Sequence, residues 1–475
     1  MHNQLQISKK NETFPYVWVP NGLRGTLGAT VSKIDSKTGR ELARYRVCPP
    51  NIVADPSRTT VDLKGNCWIS NRTCGTIVKI GLYEAGQAID RNKNGFIDTS
   101  RDLNNNGVIE DSETLPWGKD ECVLYEIVLI PEKEYTYIPG EPHDYADDYY
   151  HPGPRGIAVD ADNNVWIGCY GSRKYYYVEG ASGEIMKTVN VSPHTPYGAT
   201  IDRNGILWSA GLNGMDLLRI DPTANPLKQS RIYLGHDVYG IALDYKSNLF
   251  VSGWTTRMLS KVNGSFKNGK KIRSRKKPEL SGARGVTCMD NGDIWVSASH
   301  SGLVVRYSNE GTRTATLAFK NQPSGSAIDT DGKLWIFCRE DSRIFRVDPK
   351  TNKIDLVKDI VGSGGHYTYS DMTGIISRTI TTRVGDWVVT YDSDAADTIW
   401  KRVSWKSDEP EGTSIKVSVR SSNDNKKWSR WEDVSNGGRL SSDQRGRYLQ
   451  IWTTLQIKKG SKSPILYDLT ITSSL

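Results

Sequence analysis

One short pattern, present in six copies, constrains the fold of this chain more than any other feature. In each copy an Asp ends an apolar strand, an Asn/Gly-rich turn follows, and an aromatic residue enters the next strand. The copies read VDLKGNCWIS (61–70), VDADNNVWIG (159–168), IDRNGILWSA (201–210), LDYKSNLFVS (243–252), MDNGDIWVS (289–297) and IDTDGKLWIF (328–337). From the second copy onward the aromatic recurs every 40 to 45 residues. That period predicts the four-stranded blades of a β-propeller.

The aromatic anchors number seven once YVWVP near the N-terminus is included, and they predict seven blades. They are Trp18, Trp68, Trp166, Trp208, Phe250, Trp295 and Trp335. A blade alone exposes its sheet faces, so each blade needs a neighbour on both sides. The first blade begins at its second strand, and HYTYSDMTGII (366–376) is expected to supply the missing inner strand and close the ring.

From about Gly385 the blade pattern gives way to alternating strands such as SIKVSVRSS and RYLQIWTTLQI, which predict a separate β-sandwich. A content of 14 Trp, 23 Tyr and 44 Gly agrees with β structure throughout. We therefore expect an all-β chain with two domains. The propeller is expected over 1–384, with an insertion at about 81–135, and the sandwich over 385–475.

Composition excludes several classes of protein. A net charge of +8 without a basic face of interleaved aromatics does not indicate a nucleic-acid partner. Mean hydropathy is −0.53 and no apolar run approaches 18 residues, so no membrane span is expected. The seven Cys include no CxxC pair and are expected to be buried thiols. The first residues lack the apolar core of a signal peptide, so either the protein is cytosolic or the numbering begins after processing.

The insertion carries DRNKNGFIDTSRDLNNNGVIE (90–110), which nearly repeats itself. A calcium loop needs oxygen ligands at positions 1, 3 and 5, Gly at 6 and a carboxylate at 12. Counted from Asp102, the second half fills every slot. The first half, counted from Asp90, has Arg101 at position 12, so either Asp98 and the shared Asp102 complete this site or it binds weakly. The candidate ligands are Asp90, Asn92, Asn94, Phe96, Asp98, Asp102, Asn104, Asn106, Val108, Glu110 and Glu113.

These loops predict one or two calcium ions that stiffen the insertion. Asn in place of Asp lowers the negative charge of each loop and so its affinity, which suits the millimolar calcium found outside cells. The loops are EF-hand-like and resemble the tandem calcium loops of extracellular bacterial proteins. The sequence therefore favours an extracellular or cell-surface location.

The blade units with Gly before the inner strand (PRGIAVD, PYGATID, VYGIALD, ARGVTCMD) resemble the propellers of the streptogramin B lyase family. The resemblance implies catalysis by a His at an inner-strand start, a Glu shortly after a blade aromatic, and magnesium. The first set of positions here holds Arg155, Tyr197, Tyr239, Arg284 and Ser324. The second holds Asn71, Cys169, Gly211, Gly253, Ala298 and Cys338. Neither set contains His or Glu, so the lyase site is not carried over, and we expect no such enzyme activity.

Four of these residues are candidate ligand-binding residues: Arg155, Tyr197, Tyr239 and Arg284. We expect them at the channel entrance, where they either bind an anionic sugar or peptide or simply fill the channel. His151, His194 and His236 precede inner strands and are either a metal-binding ring or polar rim residues. The C-terminal strands resemble discoidin-like or galactose-binding-like modules, which implies a carbohydrate or surface context.

An acidic, Tyr-rich segment (132–152) and a basic one (267–277) predict head-to-tail contact between copies of the chain. The expected function is a non-catalytic, calcium-binding surface protein that serves as a structural or binding subunit. The alternatives are a metal-dependent lyase of the streptogramin lyase type and a carbohydrate-binding protein.

Overall fold

The computed structural model of the chain describes residues 4–8, 10, 12–22, 25, 27–130, 137–141, 145, 153–212, 214–263 and 271–474. Residue contacts divide the chain into two compact units. The smaller comprises Met1–Asn11, Asp90–Ile97 and Thr382–Leu475, and the larger comprises Glu12–Ile89 and Asp98–Thr381. Among the described residues, no helix has the length and apolarity needed to cross a membrane.

The strands of the larger unit form seven antiparallel sheets that follow one another along the described chain. After β1 (Leu5–Gln6), which belongs to the smaller unit, blade 1 has the three strands β2 (Tyr16–Asn21), β3 (Thr30–Asp35) and β4 (Glu41–Arg46). Blade 2 comprises β5 (Pro56–Val61), β6 (Cys67–Asn71), β7 (Thr76–Ile80) and β8 (Val123–Val128). Blade 3 comprises β9 (Pro154–Val159), β10 (Val165–Cys169), β11 (Lys174–Val178) and β12 (Ile185–Asn190). Blade 4 comprises β13 (Pro196–Ile201), β14 (Leu207–Gly211), β15 (Asp216–Asp221) and β16 (Lys228–Tyr233). Blade 5 comprises β17 (Gly240–Leu243), β18 (Asn248–Ser252), β19 (Met258–Asn263) and β20 (Lys271–Lys276). Blade 6 comprises β21 (Ala283–Cys288), β22 (Ile294–Ala298), β23 (Leu303–Tyr307) and β24 (Arg313–Ala318). Blade 7 comprises β25 (Pro323–Ile328), β26 (Leu334–Cys338), β27 (Arg343–Asp348) and β28 (Lys353–Asp359).

The first strands of blades 2 to 7 lie side by side around a central channel, and β2 lies beside β5. The hydrophobic cores are shared between successive blades: Trp68 packs with Ile157 and Val165, and Trp295 with Ile328. Blades 1 and 7 also share a core, in which Val17 and Trp335 take part. The chain is therefore all-β, and its larger unit is a seven-bladed propeller, as the repeat predicts.

The Asp of the repeat holds the turn and the aromatic anchor together. In blade 7 the Asp329 carboxylate accepts hydrogen bonds from the backbone N–H of Asp331 and Lys333, both at 2.9 Å. Its other oxygen accepts the indole N–H of Trp335 at 2.8 Å. Blades 2 and 4 repeat the arrangement. The six-residue spacing from Asp to Trp is thus the distance that lets one carboxylate cap the turn and satisfy the buried indole.

The segment expected to complete blade 1 lies beside β2, but it does not form a strand. Trp18 donates its backbone N–H to the Met372 carbonyl at 3.0 Å, and Gly22 donates to the Gly365 carbonyl at 3.4 Å. Between these bonds the backbone is irregular, and a π-helical turn follows at Ser377–Thr381. The ring closes here through packing and side-chain contacts more than through a strand ladder.

The insertion in blade 2 is shorter than the sequence suggests. Because β8 (Val123–Val128) completes the blade, the segment between β7 and β8 covers 81–122 rather than about 81–135. It contains two short 3₁₀ helices, Tyr83–Ala85 and Asp111–Glu113.

The smaller unit is a β-sandwich with a four-stranded and a three-stranded sheet, in the orders β29-β33-β31-β32 and β1-β34-β30. Its strands are β29 (Arg383–Asp392), β30 (Ile399–Asp408), β31 (Thr413–Ser422), β32 (Glu432–Val434), β33 (Tyr448–Ile457) and β34 (Ile465–Ser474). Leu5 pairs with Leu466, so an N-terminal strand expected in the propeller covers a sheet edge of this unit instead. The discoidin-like resemblance stays a prediction.

Candidate functional site

Irregular pairing at the inner strands re-aims side chains around the channel. The pairing of β9 with β10 skips Arg155, and that of β13 with β14 skips Tyr197. In blade 6 the pairing skips both Arg284 and Gly285. A β-bulge bends the strand and re-aims the extra residue, and bulges are common beside functional sites. The irregularity recurs at the residue just before the motif glycine, so these side chains gather at one end of the channel.

The motif glycines are needed because neighbouring inner strands approach closely at this level. A Cβ on Gly240 would lie 1.9 Å from the Arg284 carbonyl oxygen, and one on Gly325 the same distance from the Thr368 carbonyl oxygen. Blade 2 has Arg58 in the equivalent position. A large side chain thus stands where the blades with a motif glycine allow none.

The Tyr367 hydroxyl is the centre of the resulting cluster. It lies 2.6 Å from the hydroxyl of Tyr239 and 3.0 Å from that of Tyr197. Arg284 donates to it from Nη1 at 3.0 Å. Arg284 also donates to Tyr239 from Nη1 at 2.8 Å and to Ser299 from Nε at 2.6 Å.

Five guanidinium groups surround the ring of Tyr367. Their central carbons lie between 5.1 and 5.7 Å from its centroid, within the range of a cation–π contact. They belong to Arg58, Arg72, Arg155, Arg284 and Arg339. The guanidinium of Arg58 also lies 3.2 Å from the centroid of Tyr369.

These charges set the ionisation of Tyr367. Burial would raise the pKa of its phenol, but Arg284, Arg155, Arg58 and Arg72 together outweigh that effect and hold the pKa well below its ordinary value. Tyr239 and Tyr369 differ, because burial keeps their pKa values well above normal. The Tyr367 phenol therefore ionises more readily than those of Tyr239 and Tyr369.

Negative charge is otherwise scarce near these arginines. Asp55 forms an ion pair with Arg72. Within the described part of the chain, no other carboxylate forms an ion pair with any of the five guanidinium groups. Burial and the charge of Arg155 lower the pKa of Arg72 to about 9. The cluster as a whole is electropositive.

Five of the seven residues that lie four positions after an anchor form a rim above the cluster. We call this set the channel rim: Arg72, Tyr170, Leu212, Trp254 and Arg339. Unlike the tyrosines beneath them, all five are only partly buried. Trp254 stacks on the Arg284 guanidinium at 3.8 Å from ring centroid to central carbon, and Tyr170 contacts Tyr197. The rim thus contains two cations and two aromatic side chains, each partly exposed.

The structure brings together all four channel residues expected from the sequence: Arg155, Tyr197, Tyr239 and Arg284. It adds Arg58, Arg72, Arg339, Tyr367 and Tyr369 to the cluster. Arg58 could have been found in the sequence because it replaces the motif glycine in PSRTTVD. Arg72 and Arg339 could have been found because each follows a Trp anchor by four positions. Tyr367 and Tyr369 have no comparable signal, because their segment does not follow the strand pattern.

Two of the three histidines of the predicted ring, His194 and His236, are described, and each contacts a serine of its own blade. His194 contacts Ser209 at 2.9 Å, and His236 contacts Ser260 at 2.6 Å. His151 lies outside the described residues. Within the described ranges, no three or more His, Cys, Asp or Glu side chains form a group that could hold a metal.

The two predicted calcium loops share a backbone conformation. At position 4, Lys93 and Asn105 have φ of 59° and 60°; at position 6, Gly95 and Gly107 have 80° and 81°. At position 1, each Asp carboxylate accepts the backbone N–H of the Gly at position 6: Asp90 from Gly95 at 2.9 Å, and Asp102 from Gly107 at 2.8 Å. The sharp turn that a calcium loop requires is thus formed in both.

The second loop has a donor set that suits calcium. Glu113 is buried and folds over the loop, where it accepts the backbone N–H groups of Leu103 and Asn104 at 2.8 and 3.2 Å. Asn104 and Asn106 direct their side-chain oxygens at the loop backbone. Arg40, however, forms an ion pair with Asp102 at 2.8 Å. The Arg40 guanidinium therefore occupies a carboxylate that the sequence assigns to calcium.

Residues Asp90–Ile97 of the first loop belong to the smaller unit. There the Phe96 ring is exposed, and the Lys427 ammonium lies 3.6 Å from its centroid. Asn92 and Asn94 accept backbone N–H groups of the same loop, as in the second loop.

Most of the acidic segment 132–152 lies outside the described residues, as do positions 267–270 of the basic one. The rest of the basic segment belongs to β20 and the turn after it. Lys277 donates to the Gly311 carbonyl at 2.6 Å and lies 4.8 Å from the Tyr307 ring, so it is engaged within the propeller.

No family model matches this chain, and no curated protein matches it either. Solved structures do match. A functionally unknown protein from Desulfotomaculum acetoxidans is 10% identical, with 74% of this chain and 97% of that chain covered and a TM-score of 0.53. Virginiamycin B lyase from Staphylococcus aureus is 18% identical (66% and 87% covered, TM-score 0.46), and a streptogramin B lyase is 15% identical (70% and 93%, TM-score 0.47). At these identities the likeness concerns the fold alone.

Proposed function

We propose that this chain is a binding protein that takes an anionic ligand at the channel rim. The observation that carries the proposal is the set of five guanidinium groups around Tyr367, of which Arg72 alone has a carboxylate partner among the described residues. Guanidinium groups bind carboxylates and phosphates through paired hydrogen bonds. Arg72 and Arg339 are partly exposed at the rim and therefore make the first contact with a ligand.

The aromatic residues of the rim favour a sugar acid as the ligand. Trp254 and Tyr170 each present a partly exposed ring beside the cationic groups. A pyranose packs its C–H face on such a ring while its carboxylate binds a guanidinium, and this pairing selects uronic acids over neutral sugars. An acidic peptide would use the same cations without the flat ring contact.

The test is a calorimetric titration of the protein with glucuronate and galacturonate. Glucose and galactose are the matched neutral controls, and a short Glu-rich peptide is the second probe. We expect the uronates to bind and the neutral sugars to fail. Arg339→Gln should weaken binding about 10- to 100-fold, the range for losing one charge-assisted contact.

Arg343→Gln is the control variant, because Arg343 is half-exposed in the same blade and pairs with Asp341 away from the channel. Equal binding of uronate and neutral sugar, or equal loss in both variants, would reject an anion site at the rim. Binding of the peptide alone would keep the anion site and reject the sugar.

We propose in addition that the loops at 90–113 bind calcium and stiffen the insertion. The shared turn geometry and the inward Glu113 carboxylate support this role. When bound, the ion would draw these oxygens together; Asp102, Asn104, Asn106, Val108, Glu110 and Glu113 would hold it in the second loop. EDTA should lower Tm and open residues 85–115 to protease, and calcium should reverse both effects. Unchanged proteolysis with EDTA would sink the calcium proposal.

A surface location and self-association complete the proposal. Low-charge calcium loops suit extracellular calcium, and the opposite charges of 132–152 and 267–277 suit contact between copies. Since Lys277 is engaged internally, the charge reversal is made at Lys270, Lys271 and Lys276. Light scattering at low salt should then show smaller particles than the unchanged chain; unaltered size would reject the contact.

A further inference from the structure

A small cavity lies inside the channel, beneath the tyrosine layer. Its volume is about 50 Å³, enough for a few water-sized particles. Its walls come from the inner strands, and the turn around Ser377 borders it as well. Arg58, Arg155, Tyr239 and Tyr369 line it, whereas the rim residues Arg72, Trp254 and Arg339 do not.

Several buried polar atoms that line this cavity have no protein partner. The exposed fractions of Arg58, Arg155 and Thr200 are 1%, 4% and 3%. Within the described part of the chain, Arg58 Nε and Nη2, Arg155 Nε and Thr200 Oγ1 have no hydrogen-bond partner. The remaining bonds of the two arginines are weak for buried charges: Arg58 Nη1 donates to the Ser57 carbonyl at 2.9 Å, and Arg155 Nη1 to the Ser57 hydroxyl at 3.3 Å.

Two buried guanidinium charges beside a cavity without an anion would destabilise the folded state, because arginine stays protonated and its charge must be desolvated. The one carboxyl group that lines the cavity does not neutralise them. Asp371 lies beside Val61, three residues along β5 from Arg58, which is a backbone separation of roughly 10 Å, and no ion pair joins the two side chains within the described part of the chain. Burial raises its pKa to about 6, the opposite of what a nearby guanidinium would do. The Tyr367 ring lies 5.7 and 5.5 Å from the guanidinium carbons of Arg58 and Arg155, but Tyr367 does not line the cavity and accepts none of their free N–H groups.

We propose that this cavity is a binding site for a small monovalent inorganic anion of the halide class. Arg58 and Arg155 donate their free N–H groups to the ion, and the Thr200 hydroxyl donates from the inner-strand wall. A halide is close to water in size and fits the volume, whereas a sugar acid does not. The site is separate from the rim, so it stabilises the propeller whether or not a ligand is bound above.

Bromide provides the direct test, because it replaces chloride and scatters X-rays anomalously. Crystals of the full chain grown in sodium bromide should show an anomalous peak in the cavity within hydrogen-bond reach of Arg58 and Arg155. In solution, raising chloride from 10 to 500 mM should raise Tm by about 2 °C more than gluconate at equal ionic strength, for an ion with Kd on the order of 10 mM.

Two variants make the test specific. Arg58→Gln should lose both the peak and the extra rise in Tm. Should that variant fail to fold, Thr200→Val removes only an unpaired hydroxyl, and it should move the chloride effect to higher concentration. Absence of a peak in the cavity, or an equal response to chloride and gluconate, would overturn the inference. A peak only beside Arg72 and Arg339 would also overturn it while leaving the proposed rim site intact, and failure of the uronate titration would not touch it.

Discussion

Arg284 donates from Nη1 to the Tyr367 hydroxyl at 3.0 Å and thereby joins blade 6 to the segment that closes the ring. The same nitrogen reaches Tyr239 of blade 5 at 2.8 Å. Closure of the propeller and assembly of the cationic cluster thus depend on the same contacts. The site exists only when the ring is closed.

Tyr367→Phe should remove a readily ionised phenol and destabilise the protein. The folded pKa lies below the unfolded one, so this group's contribution is fully present above the unfolded pKa and is lost as pH falls through the folded value. In the native protein, the tyrosinate absorption band should therefore appear at a pH where free tyrosine is still protonated. The variant should lack that step. Its free energy of unfolding, measured in urea, should fall by about 3–5 kcal/mol, because buried cations lose their partner.

Tyr233→Phe serves as the control, since Tyr233 is largely exposed on the outer strand of blade 4. Its titration and unfolding should match those of the unchanged chain. An early tyrosinate step that persists in Tyr367→Phe would assign the charge to a different tyrosine.

Asp371→Asn should stabilise the protein at neutral and alkaline pH. Burial raises the pKa of Asp371 to about 6, above its unfolded value. A raised pKa contributes stability that is fully present below the unfolded pKa and is lost as pH rises through the folded pKa. The variant should thus gain about 2–3 kcal/mol at pH 8 relative to pH 4, measured by urea unfolding at both pH values. An equal effect at the two pH values would contradict the assignment.

Asp329→Ala should cost about 3 kcal/mol or more in unfolding free energy, because it leaves the Trp335 indole and two turn N–H groups without their acceptor. Asp331→Ala, at an exposed position in the same turn, should cost less than about 1 kcal/mol. Thermal or urea unfolding of both variants measures the difference. Similar losses would mean that the repeat Asp has no special role.

Arg40→Gln should tighten calcium binding by the second loop. The variant frees the Asp102 carboxylate from its ion pair and removes a positive charge from the site. Calorimetric titration should show a severalfold lower Kd for calcium, whereas Glu113→Gln should raise it. Lys37→Gln, a nearby exposed change, controls for net charge. A Kd that does not respond to Arg40→Gln would show that the ion pair does not compete with calcium.

The sequence alone was sufficient for the all-β class and the number of blades. The Asp and aromatic residues of each copy lie within ten positions, so their hydrogen bonds form locally and leave a readable period. Four channel residues were predictable because each precedes a motif glycine: Arg155, Tyr197, Tyr239 and Arg284. At three of them, Arg155, Tyr197 and Arg284, a β-bulge also re-aims the side chain.

The tertiary structure decided what those residues meet. Arg58 and Tyr367 are 309 positions apart, and ring closure brings them within 5.7 Å. Arg40 and Asp102 belong to different blades' segments, so no spacing in the sequence predicts their ion pair. The irregular path of 366–376 cannot be read from a strand pattern, because it depends on packing between blades 1 and 7. Local repetition determined the scaffold, whereas long-range closure determined the charge, protonation and partners of the site.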